Sequence, residues 1–387
     1  MAASGALHSP SRLGVLDGLR GVAVLLVLWY HLWEISWLGT PAWLAFVPAT
    51  GFVGVSLFFF LSGFVISYPF VRAEASGAPR PSWRNFAWRR FIKIVPSYLL
   101  CIAFAYGVGY AQLQPGASTL PDIVTHVLFV HTWFPARFGT IEGVLWTLAV
   151  EVEFYCCFPL IWACLRRQPW WTAGTMIAIA WLWRADLAQC CYAAGFAQYE
   201  ENLPGYLDLF AFGMVGAWLF VNPGRIASSA ERARWFGPLC AVAGTALLVA
   251  LLENLYGTRL RDQWQSVWQI NGRPLLGLSF AMIALGALRS PRSWQAILDN
   301  PPLRFLATIS YNLYLYHQLL GRELLWHHVP QYAGDPHRDP WWQRQFMAVA
   351  TAVTIAQAAV VTYGFERPLL QLKRPARGRH RSTRVGT

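Results

Sequence analysis

Apolar blocks long enough to cross a membrane recur along the whole chain and are separated by short polar stretches. A helix needs about 20 mostly apolar residues to cross the hydrocarbon core of a bilayer. Ten blocks are of about this length, at residues 14–36, 50–71, 91–111, 144–165, 171–187, 205–221, 236–256, 271–289, 303–328 and 344–365. The pattern therefore predicts an all-α, polytopic integral membrane protein of about ten transmembrane helices.

Two further stretches have a different character. The apolar stretch at residues 122–135 is too short to span and contains His126 and His131, so we predict one short interfacial or re-entrant segment there. Residues 367–387 are basic and contain no apolar block. We predict a membrane domain over residues 1–366, followed by a disordered basic tail in the cytoplasm.

The composition agrees with a membrane protein and argues against a nucleic-acid partner. Charged residues make up 13% of the chain, against about 25% in soluble domains. The net charge of +12 comes from basic residues that alternate with apolar blocks, and not from one basic face. In a ten-helix topology that starts in the cytoplasm, 23 of the 31 Lys and Arg residues lie on the cytoplasmic side. This asymmetry predicts that both termini are cytoplasmic.

The first apolar block contains an arginine and a histidine on one face. Arg20 and His31 are eleven residues apart, which is about 20° from the same helical face and about 16 Å along the axis. Ionisable residues within spans usually face a protein interior or a wet cavity. Arg20 and His31 are therefore candidates for holding an anion and for reaction chemistry, although Arg20 at the lipid headgroups and His31 as an interfacial residue would explain the pattern equally well.

The fourth block, LWTLAVEVEFY, carries two glutamates. In the predicted topology Glu151 and Glu153 fall in the outer half of the membrane, at the depth of His31. A carboxylate there would orient the imidazole and stabilise its cationic form. The alternative is a hydrogen bond between helices that only holds packing.

A basic cluster precedes the third block. Arg89, Arg90 and Lys93 place positive charge at the cytoplasmic boundary. Binding of phosphate groups and topological anchoring explain this cluster equally well. In the second block, Gly54, Ser62 and Gly63 favour close helix packing.

Two polar residues are candidate substrate contacts, and several catalytic signatures are missing. Ser62 lies in the second block, and His317 in the Tyr-rich ninth block ISYNLYLYHQ. The sequence contains no GxSxG elbow, HExxH zinc site, phosphate-binding loop or GxGxxG fingerprint, so neither a protein nucleophile nor a metal site is indicated. This favours direct attack by an acceptor that a general base activates.

Taken together, these segments resemble the acyltransferase 3 family of bacterial membrane O-acyltransferases. The resemblance rests on seven segments in the order of the family, LDGLRGVAVLLVLWYH, GFVGVSLFFFLSGFVIS, RRFIKIVPSY, LWTLAVEVEFY, LPGYLDLFAFG, ISYNLYLYHQ and FERP. It implies a multi-pass protein of the bacterial cell membrane with no permanently bound cofactor. The implied reaction moves an acetyl or another short acyl group from acyl-CoA to a hydroxyl group.

The resemblance also assigns roles to individual residues. It implies that His31 and Glu151 are catalytic and that Arg20, Arg89, Arg90 and Lys93 hold the acyl-CoA donor. The chain departs from the family at Ser56, where Asp is common, and at Val152 and Glu153, where Glu-Gln is common. The second departure favours Glu151 over Glu153 as the functional match.

The acceptor stays open at this level. The family acts on sugar-containing acceptors, and the sequence favours neither a secondary metabolite such as a macrolide antibiotic nor a cell-envelope glycan. The alternative function is a transporter or exporter, since polar groups at depth also suit a permeation route. That alternative lacks Gly- or Pro-broken helices at matching positions of two halves.

Overall fold

The computed structural model describes residues 13–113, 119–190, 197–222, 235–261 and 268–371. Across these ranges the chain folds into helices and connecting segments, with no β-strand. The long helices are α1 Gly14–Ser36, α2 Val53–Ser76, α3 Trp83–Gly107, α4 Trp146–Leu165, α5 Pro169–Cys190, α6 Leu207–Val221, α7 Phe236–Leu260, α8 Gln269–Arg289, α9 Pro301–Trp326 and α10 Pro340–Val361. Each predicted block corresponds to one of them.

Most of the long helices have the length and composition of membrane spans. Within the described ranges, eight are long and apolar enough to cross a membrane, and α5 and α9 have the length without the apolarity. Helix α9 carries Asn312, His317 and Arg322, which lowers its hydropathy. The all-α polytopic fold is confirmed, and the basic tail lies outside the described residues from residue 372 onward.

Helices α1 and α9 run side by side in the same direction. Near their starts, a Cβ added at Gly21 would lie 2.6 Å from the Leu303 carbonyl oxygen, and near their ends one at Gly321 would lie 2.9 Å from Leu32. Backbones this close bring side chains at matching heights into contact. We call the two ends of this helix pair the Gly14 end and the Ser36 end.

Helices α2 and α6 cross at two glycines. A Cβ at Gly63 would lie 2.3 Å from the Phe210 carbonyl oxygen, and one at Gly213 would lie 2.0 Å from that of Phe60. Small residues permit this close approach, which is a main source of helix association in membranes. The packing role predicted for Gly63 is confirmed.

Helices α2 and α4 both begin partway along the bundle. Gly54 packs on the Ala23 carbonyl oxygen near the middle of α1, and the Tyr314 hydroxyl donates to the Val144 carbonyl oxygen at 3.3 Å, just before α4. The segment before α4 contains the nine-residue helix Thr119–Val127 and several short 3₁₀ turns. Its buried polar residues agree with the short segment predicted there, which does not span.

Candidate active site

A cavity of about 100 Å³ lies between five helices and carries most of the predicted site residues. Its polar lining comprises Arg20 from α1, Ser62 from α2, Arg90 and Lys93 from α3, Glu151 and Tyr155 from α4, and Ser310, Tyr311 and Tyr314 from α9. Five of the eight predicted site residues therefore meet in one place. Arg89, His31 and His317 lie outside this lining.

The basic cluster on α3 divides between two faces. Arg89 and Arg90 are adjacent and therefore point about 100° apart around the helix, with Lys93 lying between these two directions. Arg89 is accordingly exposed, and Arg90 and Lys93 are half-buried. The structure thus separates Arg89 from the two residues with which it was grouped.

Two cations in the cavity form no direct ion pair. Within the described part of the chain, Arg20 and Arg90 make no ion pair, and the buried Nε of Arg90 has no hydrogen-bond partner. The Arg90 guanidinium lies 5.4 Å from the centre of the Tyr155 ring. Charges removed from water are normally paired, so these two side chains are suited to an anionic ligand.

Glu151 is held on the cavity wall by two hydroxyl groups. Its Oε1 accepts a hydrogen bond from Ser62 Oγ at 2.6 Å and another from the Tyr155 hydroxyl. Tyr155 was not predicted, although its position four residues after Glu151 places both on one helical face. The carboxylate is thereby fixed among the cations of the cavity.

His31 pairs with His317 on the neighbouring helix. His31 Nδ1 lies 2.9 Å from His317 Nε2 and 3.1 Å from the Val27 carbonyl oxygen. His317 Nδ1 lies 2.7 Å from the Tyr314 carbonyl oxygen. His317 is fully buried, whereas His31 is half-buried, so the first ring is enclosed and the second is partly accessible.

These contacts fix the tautomer of both rings. A carbonyl oxygen only accepts, so His317 Nδ1 carries the proton and the Nε2 of the neutral ring is an acceptor. His31 Nδ1 must then be the donor to His317 Nε2, and His31 Nε2 keeps its lone pair. Among the described residues no hydrogen bond to His31 Nε2 is formed. This nitrogen is suited to take up a proton.

The depth predicted for Glu151 is wrong. Glu151 lines the same cavity as Arg20, which lies about 16 Å from His31 along α1, and Glu151 bonds to Ser62 and Tyr155 and not to His31. The reason is that α4 begins at the level of Tyr314, inside the bundle. His317 takes the place beside His31 that was expected for the carboxylate.

Tyr314 contacts both the cavity and the histidine pair. Its side chain lines the cavity, and its ring centre lies 5.6 Å from that of His317. On the other side, Arg322 is close enough to act electrostatically on both His31 and Glu142.

Helices of membrane-spanning length enclose a charged cavity beside a histidine with an unbonded Nε2, an arrangement suited to a polytopic membrane enzyme. The chain belongs to the acyltransferase domain family Acyl_transf_3, whose model matches residues 13–361. The resemblance inferred from seven segments is confirmed, and the protein is a membrane O-acyltransferase.

Curated relatives differ in the share of their length that the chain covers. Acyltransferase MdmB from Streptomyces mycarofaciens is 32% identical over 293 residues, which cover 63% of this chain and 70% of the relative. The putative peptidoglycan O-acetyltransferase YrhL from Bacillus subtilis is 24% identical over 342 residues, 81% of this chain and 51% of the relative. Nodulation protein 10 from Rhizobium leguminosarum bv. viciae is 23% identical and covers 95% of each chain. The chain spans about half the length of the peptidoglycan O-acetyltransferases it matches. No solved structure matches it.

Proposed function

We propose that the protein transfers a short acyl group from acyl-CoA to a hydroxyl group of a sugar-containing acceptor, with His31 as the general base. The observation that carries this proposal is the hydrogen-bond chain from Tyr314 through His317 to His31, which leaves the Nε2 lone pair of His31 free. A neutral imidazole with a fixed tautomer is the usual acceptor of a hydroxyl proton in enzymes.

The step itself involves one proton and two bonds at carbon. His31 Nε2 takes the proton of the acceptor hydroxyl while the hydroxyl oxygen attacks the carbonyl carbon of the thioester. The new C–O bond forms, the C–S bond breaks, and the proton passes from the imidazolium to the leaving thiolate. During the step His317 Nε2 accepts the hydrogen bond from His31 Nδ1–H, which stabilises the positive charge on His31.

The donor is assigned to the cavity because of its charge. Arg20 and Arg90 form no direct ion pair within the described residues, and they lie on the Gly14-end side of Tyr314. CoA carries phosphate groups that guanidinium groups bind in a bidentate fashion. The Gly14 end is the cytoplasmic end in the topology that the Lys and Arg distribution favours, so the donor enters from the side where CoA is available.

The acceptor is assigned to the Ser36 end. His31 lies near that end of α1, and Arg322 and Glu142 lie nearby. Two relatives are named as peptidoglycan O-acetyltransferases, which supports a glycan, while the relative of 32% identity is named only as an acyltransferase. We therefore keep a cell-envelope glycan and a secondary metabolite such as a macrolide as the two acceptor classes.

The test uses purified protein in detergent, where transport across a membrane cannot be observed. Wild-type protein is expected to transfer the acyl group of acyl-CoA to a glycan fragment or a macrolide, detected by mass spectrometry. His31→Ala is expected to lower kcat by about 100- to 10,000-fold with the protein still folded. His327→Ala, at an exposed histidine just after α9, is the matched control. Undiminished turnover in His31→Ala would refute the role of His31.

A further inference from the structure

Glu366 is a buried carboxylate whose two oxygens are both held by polar side chains. It lies at the end of the turn Thr362–Glu366 that follows α10, and only 3% of its surface is exposed. Its Oε1 accepts a hydrogen bond from Lys93 Nζ, and its Oε2 accepts one from Asn312 Nδ2 at 2.8 Å. Three separate segments, α3, α9 and this turn, therefore meet at one carboxylate.

The backbone around Glu366 departs from regular α-helix. Residues Thr362–Glu366 form a π-helical turn, in which i→i+5 bonding inserts about one extra residue and turns the following side chains to a new direction. The Asn312 amide spans this turn, because it also donates to Thr362 Oγ1 at 2.9 Å. Thr362, Asn312 and Glu366 are all buried, so the direction of the carboxylate is fixed from both ends of the turn.

The carboxylate acts on the one cavity lysine. Lys93 lines the donor cavity, and its Nζ lies 5.3 Å from the centre of the Tyr311 ring. Arg20 and Arg90 are close enough to repel Lys93 electrostatically. Lys has a long, flexible side chain that swings to water when nothing holds it. Glu366 supplies the counter-charge that keeps the ammonium group on the wall.

A contribution to stability does not by itself account for this arrangement. Partly buried ion pairs give little net stability compared with apolar residues of similar volume, because desolvation offsets the attraction. The Glu366 carboxylate is held at both oxygens and is directed at Lys93 by a π-helical turn. This arrangement is better explained by a need to position the lysine ammonium group.

We propose that Glu366 is a positioning residue, which acts through Lys93 to hold the ammonium group where the anionic part of the donor binds. This inference rests on the proposed function, because it takes the cavity as the site of acyl-CoA. Asn312 in turn holds Glu366 by a hydrogen bond. Asn312 lies on α9, the helix that also carries His317.

The test is a double-mutant cycle on the Michaelis constant for the donor. Glu366→Gln keeps the shape of the side chain and an oxygen for the Asn312 amide, and it removes the charge opposite Lys93. It is expected to raise the KM for acyl-CoA about tenfold, the effect of losing one charge-assisted hydrogen bond, with kcat and the acceptor KM nearly unchanged. In the Lys93→Met background, Glu366→Gln is expected to change the donor KM no further.

Control variants separate positioning from folding. Arg84→Met removes an exposed basic residue from the first turn of α3, outside the cavity, and is expected to leave the donor KM unchanged. Should Glu366→Gln not fold, Asn312→Ala is the second test, and it is expected to raise the donor KM by less than about tenfold. Equal effects of Glu366→Gln with and without Lys93 would overturn the inference, as would an effect confined to acceptor KM. A donor KM insensitive to Lys93→Met would overturn only this inference, whereas absence of acyl transfer by the wild-type protein would overturn the proposed function.

Discussion

His317 Nε2 lies 2.9 Å from His31 Nδ1, although 286 residues separate the two in sequence. The contact exists because α1 and α9 run in parallel at close distance, with Gly21 and Gly321 against the facing helix. The buried ring of His317 is anchored to a carbonyl oxygen of its own helix, so it can orient the partly accessible ring of His31. In the proposed mechanism, a neutral histidine takes the orienting role that acidic residues have in many catalytic triads.

His317→Gln is expected to lower kcat by about 10- to 100-fold, less than the loss in His31→Ala. His31 keeps its basic Nε2 and its contact with the Val27 carbonyl oxygen, but it loses the buried acceptor that orients the ring and stabilises its cationic form. The donor KM should change little, since His317 lies outside the cavity. Steady-state kinetics across pH 5 to 9 would check this, because loss of orientation lowers the plateau of the kcat profile. A large rise in donor KM with unchanged kcat would instead assign His317 to donor binding.

Arg90→Gln is expected to raise the donor KM by about tenfold or more, since a guanidinium–phosphate interaction contributes roughly 1.5–3 kcal/mol. Arg89→Gln should have a clearly smaller effect, because Arg89 is exposed and lies outside the cavity. The two variants remove the same charge from adjacent residues, so they control for net charge and topology. Equal effects of both would mean that the cluster acts through its overall field and not through a binding cavity.

Ser62→Ala removes one of the two hydroxyl donors to Glu151, and about 1 kcal/mol of hydrogen-bond stabilisation is expected to go with it. Because Glu151 shares the cavity with Arg20 and Arg90, the change should appear in donor KM. Kinetics with the donor and the acceptor varied in turn would separate the two constants. A change confined to acceptor KM would place the acceptor, and not the donor, beside Glu151.

His126 and His131 make stability depend on pH. Their rings stack at 3.8 Å between centres, and burial lowers the pKa of His126 to about 4 and that of His131 to about 2. The unfolded chain takes up protons near pH 6.5 while the folded chain does not, so stability should fall as pH drops from about 6.5 to 4. For His126 alone the loss is on the order of 3 kcal/mol at pH 4.

The variant His131→Phe isolates this effect. It keeps a ring beside His126 and removes two nitrogens that have no hydrogen-bond partner in the described part of the chain. The Tm of the variant in detergent should depend less on pH between 6.5 and 4 than that of the wild type. The exposed His327, changed to Phe, is the control. An unchanged slope in His131→Phe would mean that other groups carry the acid sensitivity.

Gly63→Ala tests the crossing of α2 and α6. The added methyl group would lie 2.3 Å from the Phe210 carbonyl oxygen, so the helices must separate, at an expected cost of about 1–3 kcal/mol. Gly174→Ala is the matched control, since a Cβ there meets nothing within 4 Å. Thermal unfolding of both in the same detergent would check this, and equal Tm values would argue against tight packing at Gly63.

Local sequence determined the membrane fold and the polar residues placed within it. The apolar blocks predicted the ten long helices of the described ranges, although α5 and α9 are less apolar than the other eight, because the bilayer sets the length of a span and leaves few alternatives. The depth of a side chain relative to its own helix also followed from spacing, as for Arg20 and His31. The motifs in their order identified the family, which its match over residues 13–361 confirms.

Only the tertiary structure decided which polar residues meet. Glu151 was placed at the depth of His31 on the assumption that α4 starts at the membrane surface, whereas α4 starts beside Tyr314, within the bundle. The height of a residue depends on where its helix begins, and here that point is set by contacts with α9 and not by α4 itself. Pairing across helices, as for His317 with His31 and Glu366 with Lys93, depends on helix neighbours and rotation, which packing fixes and hydropathy does not encode.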